Sequence, residues 1–151
     1  MRIIVPEEIG SELKLLPEGV VRATLEKLML GKSGSGHPKV TARYLITEEM
    51  EGVKEGEPPT TGEVVLETFS LQPQAMFGLN SLYKAVTGER IPQGDFSPEE
   101  FMADLDEKLT GTEWDLVLEQ QIPGNLDIEG MSEAEIEKAK RTVVVKRELA
   151  A

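Results

Sequence analysis

Apolar and polar positions alternate through five separate stretches of the chain. Val21, Ala23, Leu25 and Met29 alternate with Arg22, Thr24, Glu26 and Leu28, the mark of a half-buried strand. Val40, Ala42, Tyr44 and Ile46 alternate with Lys39, Thr41, Arg43 and Leu45, the clearest strand of all. Between them GKSGSGHP, residues 31–38, reads as a flexible loop, so the two strands are expected to form an antiparallel hairpin. Residues 63–71 form a third strand rich in Val, Thr and Phe. Residues 112–122 supply a fourth through Trp114, Leu116, Leu118 and Gln120, and residues 142–149, TVVVKREL, a fifth.

The period changes between the third and fourth strands. Pro73 opens a helix with Met76, Leu79, Leu82, Tyr83 and Val86 on one face, and Gly88 ends it. A second helix starts at Ser97, with Glu100 completing a capping box, Pro98 at the first helical position, and Phe101, Leu105 and Leu109 on its apolar face. Ser132 and Glu135 cap a third, short helix that ends near Lys140. Residues 1–16 read as an N-terminal extension, and residues 47–62 as a long acidic loop rich in Pro and Gly. No internal repeat or domain boundary interrupts residues 1–151, so one domain is expected. Five short strands must close or cover their edges. The expected fold is therefore mainly β: a five-stranded, OB-fold-like antiparallel barrel with helices between strands three and four. Another small barrel or an α+β sandwich is the alternative.

Composition removes whole classes of chemistry. The 151 residues include no cysteine and one histidine, His37. Disulfides, thiolate metal sites, thiol nucleophiles and multi-histidine metal centres are excluded together. No apolar run reaches the ~18 residues that span a bilayer, and MRIIVPEEIG has no signal-peptide pattern, so a cytoplasmic, non-membrane protein is expected. GKS at 31–33 lacks the Walker glycine, because Glu26 stands where it is needed. Asn125, Asp127, Glu129 and Gly130 imitate a calcium loop, but Ile136 takes the place of its bidentate glutamate. The carboxylate pairs Glu48/Glu49, Glu99/Glu100 and Asp104/Asp106 have no apolar surroundings to perturb them for acid–base work. No catalytic residue, metal or cofactor is expected, and the chain reads as a non-enzyme.

The net charge is −12, which by itself argues against a nucleic-acid partner. Its distribution changes that reading: residues 1–47 carry a net +2, residues 48–137 a net −18 and residues 138–151 a net +4. In an OB-fold the strand 2–3 face and the loops joining strands 1–2 and 4–5 bind ligands. Those are the parts the two basic ends would supply: Arg22, Lys39 and Arg43 on the outer face, Lys32 and His37 in the first loop, and Lys138, Lys140 and Arg141 in the 4–5 connection. Phe69 is a candidate for stacking a base, with burial in the barrel as its alternative.

The segment LPEGVVRATLEKLMLGKSGSGHPKVTARYLIT, residues 16–47, resembles the opening of bacteriophage single-stranded-DNA-binding proteins of the small OB-fold type. FSLQPQAMFGLNSLYKAVTG and LTGTEWDLVLEQQ are similar to that family's later segments. The resemblance implies coating of single-stranded DNA in phage replication and recombination, with Lys32, Lys39 and Arg43 in the DNA-contacting hairpin. Replication or recombination proteins would be further partners, and the open edges of a small barrel leave room for a homodimer. The chain ends KRELAA where many single-strand binders carry an acidic tail, which puts recruitment of partners in doubt. Two rival readings stand beside this one: a virion structural or assembly protein, and an acidic inhibitor that mimics nucleic acid.

Overall fold

The computed structural model describes residues 15–51, 60–122 and 129–150. Residues 1–14 of the expected extension, 52–59 of the acidic loop, and 125–128 of the calcium-like motif lie outside the described residues.

Two 14-residue strands, β1 (Gly19–Lys32) and β2 (Pro38–Glu51), pair antiparallel from the Val20/Glu51 pair to the Lys32/Pro38 pair, with three register shifts on the way. β3 (Val64–Ser70) adds to β2, β4 (Glu113–Gln121) to the first half of β1, and β5 (Arg141–Leu149) to β4. The sheet order is β3-β2-β1-β4-β5, with every neighbouring pair antiparallel. The edge strands β3 and β5 therefore run parallel to each other. No ladder joins them among the described residues, yet Arg147 of β5 reaches Glu67 of β3 at 2.8 Å, so the sheet curls until its edges meet through side chains. This is the expected OB-like arrangement, left open at one seam.

The alternation that predicts β2 is the alternation observed: Val40, Ala42, Tyr44 and Ile46 are all buried. β2 runs on to Glu51, however, so residues 47–51 belong to a strand and not to the acidic loop. β1 departs from its predicted phase. Its register shifts between Leu25 and Lys27, leaving Glu26 as the extra residue of a bulge. The phase inverts there, so Leu28 is buried and Met29 turns out, the reverse of the simple alternation. A bulge in the β4–β5 ladder, between Val117 and Leu118, leaves Val145 of β5 unpaired and exposed. It turns Arg147 to the inner side, where strict alternation from buried Val144 would have put Lys146.

The helices close the barrel end from which β3 leaves. A 3₁₀ turn at Pro73–Ala75 leads to α1 (Phe77–Thr87), which buries Leu79, Leu82 and Tyr83 and ends at Gly88, whose φ of +79° only glycine adopts without strain. α2 (Pro98–Leu109) buries Leu105 and Leu109, and its first turn is capped by Ser97, which accepts from the Glu100 amide at 3.2 Å. The Tyr83 hydroxyl donates to Asp104 at 2.8 Å and ties α1 to α2. Burial and the neighbouring carboxylate push that phenol up to about 12. The turn after α2 pairs with β1 beside its bulge: Leu25 N–H donates to Thr112 O at 2.9 Å, and Gly111 N–H to Leu25 O at 2.7 Å. α3 (Glu133–Ala139) lies between β4 and β5 and buries nothing. At the other end Leu16 is buried, and its amide donates to Thr142 Oγ1 at 2.8 Å. The last residues of the expected extension are thus part of the packed body.

Candidate nucleic-acid interface

Cross-strand partners in an antiparallel sheet point to the same side. The outer side of the three-strand half of the sheet can therefore be read row by row from the register. Gly31, Lys39 and Ser70 form the row nearest the hairpin tip. Met29, Thr41 and Thr68 come next, then Lys27, Arg43 and Leu66, then Thr24, Leu45 and Val64. Thr41 and Thr68 hydroxyls approach to 3.5 Å, and Arg43 Nε lies 3.0 Å from the carboxylate of Glu26, the bulged residue. The result is a shallow face of hydroxyls and aliphatic carbons carrying Lys27, Lys39 and Arg43, with Lys32 just beyond its first row.

The tip is a hydrogen-bonded turn. β1 continues to Lys32 and β2 begins at Pro38, which leaves five residues, 33–37, to make the turn. Ser33 N–H donates to His37 O at 2.8 Å, and Gly36 N–H to Ser33 O at 2.9 Å. The Ser33 hydroxyl accepts from the His37 amide at 3.2 Å. His37 is exposed, and neither it nor Lys27, Lys32 or Lys39 makes an ion pair among the described residues.

The nine residues expected to bind do not form one surface. Arg22 is engaged by Asp115 of β4 through Nε at 2.9 Å and Nη2 at 3.3 Å, a two-point pair that raises its already high pKa and matches its charge. Lys140 is paired with Glu137 at 2.6 Å, and Arg141 spends Nη1 on the carbonyls of Lys138, Ala139 and Lys140 at the end of α3. That cluster, Lys138 included, also lies beyond the Gly19 end of β1, because Arg141 pairs with Gln121 and Gly19 with Leu118. The hairpin tip is at the other end, roughly 40 Å away along a 14-residue strand.

Phe69 is a correction. It is 5% exposed, and the guanidinium of Arg147 sits 4.9 Å from its ring centroid, so no base can reach it. Its phase explains this: Val65, Glu67 and Phe69 point inward, against the apolar layer of β2. Tyr44 and Trp114 are likewise core residues. Glu67 is the exception among inward positions, and it is satisfied on both oxygens. Tyr44 Oη donates to Oε1 and Arg147 Nη1 to Oε2, both at 2.8 Å, while Arg147 Nη2 donates to Gly78 O at 3.0 Å. Burial raises the Glu67 carboxyl above its ordinary pKa, with the Arg147 charge and the Tyr44 hydrogen bond pulling it back. Burial, then the Glu67 charge, raises Tyr44 as well. This network joins the two edge strands across the seam.

Two features escape a reading by alternation. Lys27 joins the outer face only because the bulge at Glu26 inverts the phase. The second feature is legible in the sequence once the fold says which segments meet. Residues 27–47 contain four Lys/Arg and no Asp or Glu, and residues 68–88 contain Lys84 and again no Asp or Glu. The first segment is the distal hairpin; the second is the end of β3 and all of α1, joined to the hairpin by the β2–β3 ladder and by Leu71 N–H donating to Pro38 O at 3.0 Å. These 42 residues carry +5, so the other 109 carry −17.

Among the described residues no helix is long and apolar enough to cross a membrane, and no cluster of three or more metal-ligating side chains occurs. Compared with known protein families and with curated proteins, the chain matches none.

Proposed function

We propose that this chain binds single-stranded DNA without strong sequence preference and does no chemistry on it. The observation that carries this reading is the cationic end of an OB-like barrel, built from residues 27–47 and 68–88 with five Lys/Arg and no Asp or Glu of their own, in a chain whose net charge is −12. Lys27, Lys32 and Lys39 would neutralise phosphates, Arg43 would do so only by exchanging Glu26 for a phosphate, and His37 and the row of hydroxyls would accept or donate hydrogen bonds beside them. Arg22, Lys140 and Arg141 are left out, because their charges or donors are already engaged. The acidic remainder does not forbid binding. At physiological ionic strength charges are screened beyond about 8 Å, so a strand lying on the hairpin is governed by the hairpin's own charges. A duplex carries twice the charge per length and is wider, so it would press against the acidic flanks. The resemblance of residues 16–47 to phage single-strand binders points the same way, and replication or recombination proteins are the partners it suggests.

The test is a gel shift with labelled oligothymidine and with duplex of equal length, each at two salt concentrations. The expected result is a shift of the single strand that weakens at high salt, and little or none of the duplex. An absence of any shift, with a large oligomer in light scattering, would replace this reading with a structural role; capture of a DNA-binding protein instead would favour nucleic-acid mimicry.

A further inference from the structure

We infer that Phe77 is the base-stacking platform of this interface, an inference that rests on the single-strand reading above. With Phe69 buried, the hairpin face has cations and hydroxyls but no aromatic ring. Binders of unpaired strands pair a cationic groove with such a ring. Phe77 is 77% exposed, at the start of α1. The chain's other six aromatic residues are placed differently. Tyr44, Phe69, Tyr83 and Trp114 are buried. Phe96 and Phe101 line a cavity of about 220 Å³ together with Glu100 and Asp104, carboxylates that would repel a phosphate backbone.

Phe77 has the opposite surroundings. No acidic residue occurs in α1, and residues 77, 81 and 84 follow one another on its surface at i, i+4 and i+7. The exposed row is therefore Phe77, Ser81 and Lys84: a ring, a hydroxyl and a cation. The start of α1 is tied to the hairpin by a short stretch of chain. Lys32 pairs with Pro38, and the Pro38 carbonyl accepts from Leu71 N–H at 3.0 Å. Phe77 follows Leu71 by six positions, which even fully extended span no more than about 22 Å. Three of them are coiled in the 3₁₀ turn, so the real distance is shorter. That lies within the length of strand that one OB domain covers, about 4–16 nucleotides. The backbone beneath the ring is fixed on both sides: Asn80 N–H donates to Met76 O at 3.0 Å, and Gly78 O accepts from Arg147 at 3.0 Å. On that fixed backbone a phenyl ring has only two side-chain torsions to lose when a base settles on it.

The test compares oligothymidine with an oligomer of the same length whose central nucleotides are abasic, so that the sugar-phosphate backbone is kept and the bases are removed. Phe77→Ala is expected to bind oligothymidine about 5- to 150-fold more weakly than wild type. Its affinity for the abasic oligomer, its salt slope and its melting temperature should stay at wild-type values, since the side chain is exposed. Phe77→Trp, which keeps a ring, should retain binding. If wild type shifts oligothymidine with the expected salt dependence and Phe77→Ala does the same, the stacking inference falls alone, and the ring belongs to a protein contact. An equal loss on both oligomers also overturns it, because the effect would not act through the base. If wild type binds neither oligomer, the single-strand reading falls with it.

Discussion

Replacing Arg147 by methionine keeps most of the aliphatic stem and removes the charge that bridges the seam. Glu67 would then be left with its side chain 10% exposed and only the Tyr44 hydroxyl as a partner. Deleting one member of a buried ion pair costs about 3–5 kcal/mol, mostly from the stranded charge. Arg147 is 19% exposed, so water can enter as it leaves, and the lower end applies: about 3 kcal/mol. For a chain of this length that lowers the melting temperature by roughly 6–12 °C. The loss should also depend on pH. In wild type, burial raises the Glu67 carboxyl while Arg147 pulls it down. Without Arg147 the carboxyl rises further. A carboxyl whose folded pKa lies above its unfolded value of 4.5 contributes stability that is complete below that value and is lost as pH rises through the folded pKa. The deficit of Arg147→Met relative to wild type should therefore grow between pH 5 and pH 8. Adding Glu67→Gln removes the stranded charge and keeps an acceptor for Tyr44, so the double variant should recover at least about 1 kcal/mol relative to the sum of the singles. Urea denaturation of the four proteins at both pH values measures all of this. A deficit that is equal at pH 5 and pH 8, together with additive single effects, would refute the claim that a buried carboxylate is balanced by Arg147 across the seam.

Three further outcomes follow from the same contacts. Lys39→Ala should reduce the slope of log affinity against log salt by about 0.7 and weaken all sequences alike, whereas Arg22→Ala, whose charge is already matched by Asp115, should leave the slope unchanged in a fluorescence titration. Below about 10 mM salt, where the screening length reaches roughly 30 Å, the acidic remainder of the molecule should oppose the strand, so that log affinity flattens or turns down; a straight line to the lowest salt would refute this. Phe69→Ala should destabilise the fold by about 3–5 kcal/mol in thermal or urea unfolding, as expected for a truncated core aromatic and not for an exposed platform.

Element types and order follow from local sequence. The alternation of β2, the capping residues Ser97 and Ser132 and the glycine after α1 each act within a few residues of themselves, and each is found where its local chemistry puts it. The strand and helix order then implies an OB-like barrel, because few arrangements hide the edges of five short strands. The cationic character of the hairpin is also written in residues 27–47, which hold no carboxylate. What the tertiary structure decided is which of those charges remain available and which rings are covered. Arg22 meets Asp115 from 93 positions away, and Arg147 meets Glu67 from 80 positions away; no local rule reports such pairs. Two bulges, at Glu26 and Val145, turn Lys27 outward and Arg147 inward, since one extra residue inverts every side chain that follows it. The fate of the aromatics has the same cause. Phe69 and Phe77 stand eight positions apart in one acid-free segment, but one lies on the inner face of a strand and the other on the open face of a helix, and only the packing of that helix against the barrel separates the core ring from the exposed one.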